Sequence, residues 1–124
     1  MPFEYSIRYE EPLIRVKVTG SPDYLSTDRL WRDIVAACQK HDCLTVLGES
    51  NTEKWTHEDA YDHAPIFEAA GMSSRYRVAW VEANATARET IKLAETVVNN
   101  RDVVTGRIFS SLAEAKRWLA EESA

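Results

Sequence analysis

The sequence predicts an α/β fold in the order β-β-α-β-α-β-α-β-α, a mixed and mostly parallel sheet packed by helices. Three observations carry this expectation. Residues 3–9 alternate apolar and polar, which marks a strand with one buried face. Arg77-Val-Ala-Trp-Val81 is apolar nearly throughout, as expected of an inner strand covered on both faces. From Tyr76 to Leu119 the chain reads strand, capped helix, strand, capped helix, the pattern of parallel strands joined by helical crossovers. A length of 124 residues fits one domain, residues 1–124, with a core of its own.

In chain order, Phe3, Tyr5, Ile7 and Tyr9 alternate with Glu4, Ser6, Arg8 and Glu10. Glu11-Pro12 punctuates the pattern, and Leu13–Val18 alternates again, so the opening is an antiparallel hairpin ended by Gly20 and Pro22. Leu30, Trp31, Ile34, Val35 and Cys38 recur at three- and four-residue intervals, which predicts an amphipathic helix over 28–40 started by Ser26 or Asp28. A short buried strand over 43–47 follows, released at Gly48. Residues 49–63 are polar and are expected as a loop, in which Thr56 and Asp59 can cap a helical turn. Pro65 suits the first turn of a short helix to Ala70, and Gly71 its left-handed C-terminal cap.

Arg77–Glu82 is the inner strand. Thr86 and Glu89 form a capping box for a helix whose apolar face is Ala87, Ile91, Ala94, Val97 and Val98, and Asn99-Asn100 supports its end. The last strand covers 103–109, with Gly106 inside it as a weak point or a place of close approach. Ser111 and Glu114 repeat the capping box, ahead of a helix lined by Leu112, Ala115, Trp118 and Leu119.

This order, closing on Phe109-Ser-Ser-Leu-Ala-Glu-Ala-Lys-Arg-Trp-Leu119 after the Tyr76-Arg-Val-Ala-Trp-Val81 strand, resembles the STAS superfamily, most of all its SpoIIAA-like branch. The resemblance spans nearly the whole chain and rests mostly on packing residues. It implies a non-enzymatic signalling module that binds a regulatory protein partner such as an anti-sigma factor or kinase. In such antagonists a phosphorylatable Ser or Thr follows the third strand in an Asp-Ser-Ser-Gly-like motif. Here the region reads Leu47-Gly-Glu-Ser-Asn-Thr-Glu-Lys-Trp-Thr56, so the motif is absent and the usual phosphoserine switch is not expected. Comparison of the wider branch with CRAL-TRIO domains implies a second possibility, an apolar or lipid-like ligand held between helices and sheet.

Composition narrows the classes. The net charge of −5 lacks the basic footprint that nucleic acid or an anionic membrane surface requires. No apolar run approaches the ~20 residues needed to span a bilayer. Met1-Pro-Phe-Glu4 has neither the basic nor the apolar region of a secretory signal, so a cytoplasmic protein is expected. Cys38 and Cys43 match neither a redox nor a zinc spacing and are expected as reduced, buried thiols. Only Gly20, Gly48, Gly71 and Gly106 are present, too few and too scattered for a phosphate-cradling loop, and no cofactor is expected.

The densest polar cluster, His57-Glu-Asp-Ala-Tyr-Asp-His63, has its two His residues six apart. Hydrolytic zinc helices place them four apart, so the cluster is expected as a solvated helix start and no metal is expected. Gly48-Glu-Ser-Asn-Thr52 resembles a nucleophile elbow with its second glycine replaced, which would make Ser50 the nucleophile of a hydrolase, the weakest of three readings. Phosphorylation of Ser50, Thr52 or Thr56 would put about −1.5 to −2 charge among Glu49, Glu53, Glu58 and Asp59. Arg75, Arg77, Arg88, Lys92, Arg101 and Arg107 are interleaved with acids and expected as a salt-bridged solvent face. Trp31, Trp80 and Trp118 are expected in the core. Trp55 stands in the polar stretch without a periodic partner, as a lid folded onto the sheet or an interaction anchor would.

The sequence is therefore read as a binding module whose surface contains Ser50, Thr52, Trp55, Thr56 and His57, with a protein partner or a second copy as the occupant. The alternative is a carrier of a small apolar molecule in a pocket lined by Trp31, Phe67 and Trp80.

Overall fold

A computed structural model describes residues 3–53 and 57–122, with the main chain alone at 57–60 and 122. The elements are β1 (Glu4–Glu10), β2 (Leu13–Gly20), α1 (Tyr24–Lys40), β3 (Thr45–Thr52), α2 (His57–Ala70), β4 (Arg77–Glu82), α3 (Ala85–Asn100), β5 (Thr105–Phe109) and α4 (Leu112–Glu122). The sheet order is β1-β2-β3-β4-β5; β1 and β2 form the antiparallel hairpin, and every later pairing is parallel.

Strand alternation sorts the side chains into two layers. Ile14, Val16 and Val18 of β2, Val46 of β3, and Val78 and Trp80 of β4 pack with Leu30, Trp31 and Ile34 of α1, Phe67 of α2 and Val98 of α3. On the opposite face Leu47 and Ala79 meet Ala115 and Leu119 of α4. The inner strand β4 is thus covered on both sides, as its apolar run requires. Trp31 and Trp80 lie in the first layer, while Trp118 is half-buried in the second, under the Arg77 guanidinium 4.7 Å from its ring centroid.

Several boundaries differ from the sequence reading, each for a local reason. Helix α1 begins at Tyr24 because Asp23 is its cap, accepting from Ser26 N at 2.8 Å; Ser26 serves the cap instead of being it. Helix α2 begins at His57, so Pro65 lies inside it and not in its first turn. The cap expected at Thr56 lies outside the described residues. Asn84, not Thr86, caps α3, accepting from Thr86 N at 3.0 Å. Val103 and Val104 are buried ahead of β5 without joining it. Gly71 has the positive φ of 95° that its capping role needs, and Glu114 N donates to Ser111 Oγ at 3.4 Å.

The largest difference is β3. It does not end at Gly48 but runs through Glu49, Ser50 and Asn51 to Thr52, paired with β2 along this whole length. Its end therefore lies inside the sheet, at the edge where the parallel strands terminate.

Candidate functional site

Gly48 sits opposite Trp80 across the β3–β4 ladder. A Cβ on Gly48 would stand 2.1 Å from Trp80 Cε3, so only glycine lets the indole lie across β3. In that position Trp80 Nε1 donates to Ser50 Oγ at 2.8 Å. The Ser50 hydroxyl in turn donates to Glu82 Oε1 at 2.8 Å, and Thr52 Oγ1 donates to the same oxygen at 2.6 Å. Glu82 Oε2 accepts from the main-chain N–H groups of Thr52 at 3.1 Å and Asn84 at 3.0 Å.

Glu82 is wholly buried, with Ser50 and Thr52 only 8% and 3% exposed. A buried carboxylate is costly unless its lone pairs are used, and here four donors from two segments, β3 and the Asn84 cap of α3, converge on it. The cluster ties the ends of β3 and β4 to the start of α3. Two further bonds reinforce that corner: Asn84 Nδ2 donates to Thr52 O at 2.7 Å, and the Arg88 guanidinium donates to Glu82 O at 3.0 and 2.8 Å. Arg88 is thus a corner brace and not part of a salt-bridged solvent face.

Beside this cluster lies a cavity of about 70 Å³ between the sheet and the helices α1–α3. Trp31, Phe67 and Trp80 form its aromatic wall, Ser50, Thr52 and His63 adjoin them, and Ile91, Glu95 and Ile108 line the α3–β5 side. Trp31 packs 4.3 Å from Phe67 and 5.4 Å from Trp80, centroid to centroid. The three residues named from sequence as a pocket lining are brought together here. The Glu95 carboxyl on this wall is held above the usual carboxylate range by burial, opposed by the Ile108 N–H, Arg107 and Lys92.

The candidate residues fare unequally. Ser50 and Thr52 are strand residues facing the interior, not loop residues. Ser50 is paired on both sides, with Val18 and Glu82, so the strand-to-helix turn of a nucleophile elbow is missing and its hydroxyl is engaged by Trp80 and Glu82. A phosphoryl group on either hydroxyl would displace these bonds and face the Glu82 carboxylate. Trp55 and Thr56 lie outside the described residues, and His57 opens α2. His63 is not solvated as expected but 8% exposed, edge-on to Phe67 at 5.8 Å.

Among the described residues no group of three or more His, Cys, Asp or Glu side chains could hold a metal ion. No helix among them is long and apolar enough to cross a membrane. Cys38 and Cys43 are free and buried, and burial, with the neighbouring Cys43, pushes the Cys38 thiol up to about 12. Sequence reasoning missed Glu82, placed at the end of the inner strand. The available signal was its period-two alignment with Val78 and Trp80, which puts a carboxylate on the buried face.

No family model and no curated protein matches the chain. Among solved structures, an anti-sigma factor antagonist from Mycobacterium paratuberculosis matches with a TM-score of 0.65 at 15% sequence identity. The match covers 94% of this chain and 92% of that one. At this identity the likeness is one of fold: the five-stranded mixed sheet with four helices is the STAS fold, as the sequence resemblance implies.

Proposed function

We propose that the chain is a non-enzymatic regulatory module that acts by binding a protein partner at the edge where β2, β3 and β4 end. The observation that carries this reading is the distribution of exposed large apolar side chains. Four are found among the described residues, Tyr9, Tyr24, Leu25 and Tyr61; Tyr24 and Leu25 stand on the first turn of α1 and Tyr61 on the second turn of α2, near that edge. Leu25, 79% exposed, stands beside Tyr24, 49% exposed, so the two form an adjacent apolar pair there. Open α/β sheets bind their ligands beyond the carboxyl ends of their strands, and aromatic residues concentrate in binding hot spots. The fold shared with an anti-sigma factor antagonist supports the same reading. The burial of Ser50 and Thr52 against Glu82 supports a module that works without a phosphoserine switch at those positions.

The test is affinity capture with the full chain, then reconstitution with the purified partner. Trp55→Ala, Leu25→Asp and Tyr61→Ala are each expected to weaken the complex at least tenfold, with melting temperature nearly unchanged. A complex insensitive to all three changes would reject this surface, and a large loss of stability in Trp55→Ala would make that residue core.

The cavity supports a second reading, a carrier of a small apolar molecule against Trp31, Phe67 and Trp80. Native mass spectrometry distinguishes it: an excess mass lost on denaturation is expected of the carrier, and a bare polypeptide mass of the module alone.

A further inference from the structure

The two edges of the sheet are finished differently. At the β5 edge, α3 supplies the missing neighbour. Asn99 Nδ2 donates to Gly106 O at 2.9 Å, and Gly106 N donates to Asn99 Oδ1 at 3.0 Å, so one side-chain amide pairs with the strand as a peptide group would. Ile108 N donates to Glu95 Oε2 at 3.3 Å. Three main-chain groups of β5 that face away from β4 are thereby partnered by α3.

At the other edge β1 presents seven residues, and among the described residues no side chain hydrogen-bonds to its main chain. Its two faces differ. Tyr5, Ile7 and Tyr9 lie opposite Val18, Val16 and Ile14, toward the α1 layer, while Glu4, Ser6, Arg8 and Glu10 lie on the α4 side. Arg8 stands directly opposite Arg15, a like-charge pair that costs stability in a ladder. Glu10 is ion-paired with Arg8 and lies 3.7 Å from Arg15, whose closer partner is Glu49 of β3 at 3.0 Å, so Arg8 has Glu10 as its ion-pair partner.

We propose that β1 is a homodimer edge, pairing antiparallel with β1 of a second copy about Ser6 to make one continuous sheet. In that register Glu4 of each copy lies opposite Arg8 of the other, so two unlike pairs form and each Arg8 gains a carboxylate against Arg15. On the other face Tyr5 lies opposite Ile7 of the second copy, an aromatic–β-branched pair, and Phe3 opposite Tyr9. The register centred on Ile7 opposes Glu4 to Glu10 of the second copy and loses both unlike pairs. Symmetry makes the same strand serve both copies, as a two-fold interface requires. An unprotected strand edge is a template for another chain, and charge decides which chain it accepts. Leu25 adjoins Phe3 and Tyr5 at the start of β1, but Glu4 and Arg8 lie on the opposite face of the sheet, so charge changes at those two residues test the dimer separately from the partner-binding reading.

Analytical ultracentrifugation of the full chain from about 1 to 300 μM tests it, with circular dichroism melting as the check on folding. The wild-type chain is expected to dimerise in this range. Arg8→Glu opposes Glu4 in both pairs and is expected to raise the dimer dissociation constant at least tenfold. The double change Glu4→Arg with Arg8→Glu restores unlike pairs and is expected to recover the dimer. Both variants carry their changes on exposed side chains, and each is expected to melt cooperatively as a folded chain. A wild-type chain monomeric throughout, a dimer indifferent to Arg8→Glu, or a double variant that stays monomeric while folded would each overturn the proposal.

Discussion

Gly48, Trp80 and Glu82 show how single residues set the interior of this fold. Gly48→Ala would drive a methyl into the indole, which can yield only by breaking its 2.8 Å bond to Ser50. Overpacking of this kind costs about 1–3 kcal/mol, and the lost bond puts this site at the upper end. A drop in melting temperature of roughly 10 °C is expected, and a fall of only a degree or two would show the ring free to move. Glu82→Ala leaves two hydroxyls and two main-chain N–H groups without their acceptor. With about 1–3 kcal/mol for each unsatisfied group, partly offset by water entering the space, a loss of at least about 3 kcal/mol is expected in urea unfolding. These residues were half legible in the sequence. Period-two spacing points Ser50, Thr52 and Glu82 inward, but a polar run after a glycine is also what a loop looks like, and nothing local shows that Glu82, thirty residues on, receives those hydroxyls. Convergence of polar groups is a tertiary fact, which hydrophobic periodicity does not register.

At the scale of elements, the seam between α3 and β5 carries a testable charge. Glu95 accepts from Ile108 N, yet burial still holds its carboxyl above the usual range. A raised value in the folded state means that folding favours the protonated form. The stability from this group is therefore fully present below the unfolded value and is lost as pH rises through the folded one. Glu95→Gln keeps a carbonyl for Ile108 N and removes the titration. The wild-type chain is expected to lose stability relative to Glu95→Gln as pH rises from the ordinary carboxylate range into weakly acidic conditions, measured as the difference between their melting temperatures. A difference constant with pH would show that Glu95 titrates alike folded and unfolded. The same seam explains what sequence could and could not say about Asn99. Its tolerance of left-handed geometry marks a helix end, but here Asp102, with φ 56°, takes that conformation while Asn99 stays helical and reaches Gly106. The expectation of close approach at Gly106 was sound, and what approaches is a side-chain amide. Helix α2 was legible as one element only in its second half, because Pro65 reads as a start although the helix runs unbroken through it from His57.

For the molecule as a whole, periodicity reveals layers well, since each strand declares its inward face and each helix its stripe. The hairpin, the parallel crossovers and the doubly covered β4 all follow from that one signal. Strand order does not, because the same elements could be threaded otherwise and still bury the same stripes. Nor does the cavity, which exists because aromatic rings from α1, α2 and β4 meet at angles of 53° and 41° and leave space between helices and sheet. Its volume is about 70 Å³, and its lining is mainly apolar, with Ser50, Thr52, His63 and Glu95 as the polar members beside the aromatic wall. Space of this kind is either a packing defect tolerated by the fold or a site kept open for a ligand, and one substitution separates the two. Val18 lines the cavity from β2, where a β-branched residue suits the strand, so Val18→Ile adds one methylene to the void without changing backbone preference. If the space is empty, filling it is expected to stabilise the chain by about 0.5–1 kcal/mol in urea unfolding. If a ligand lives there, the methylene displaces it: the excess native mass disappears, and the stabilisation that the ligand supplied by mass action goes with it. A more stable Val18→Ile chain with no change in native mass would leave the partner-binding module as the function and the cavity as a gap in its packing.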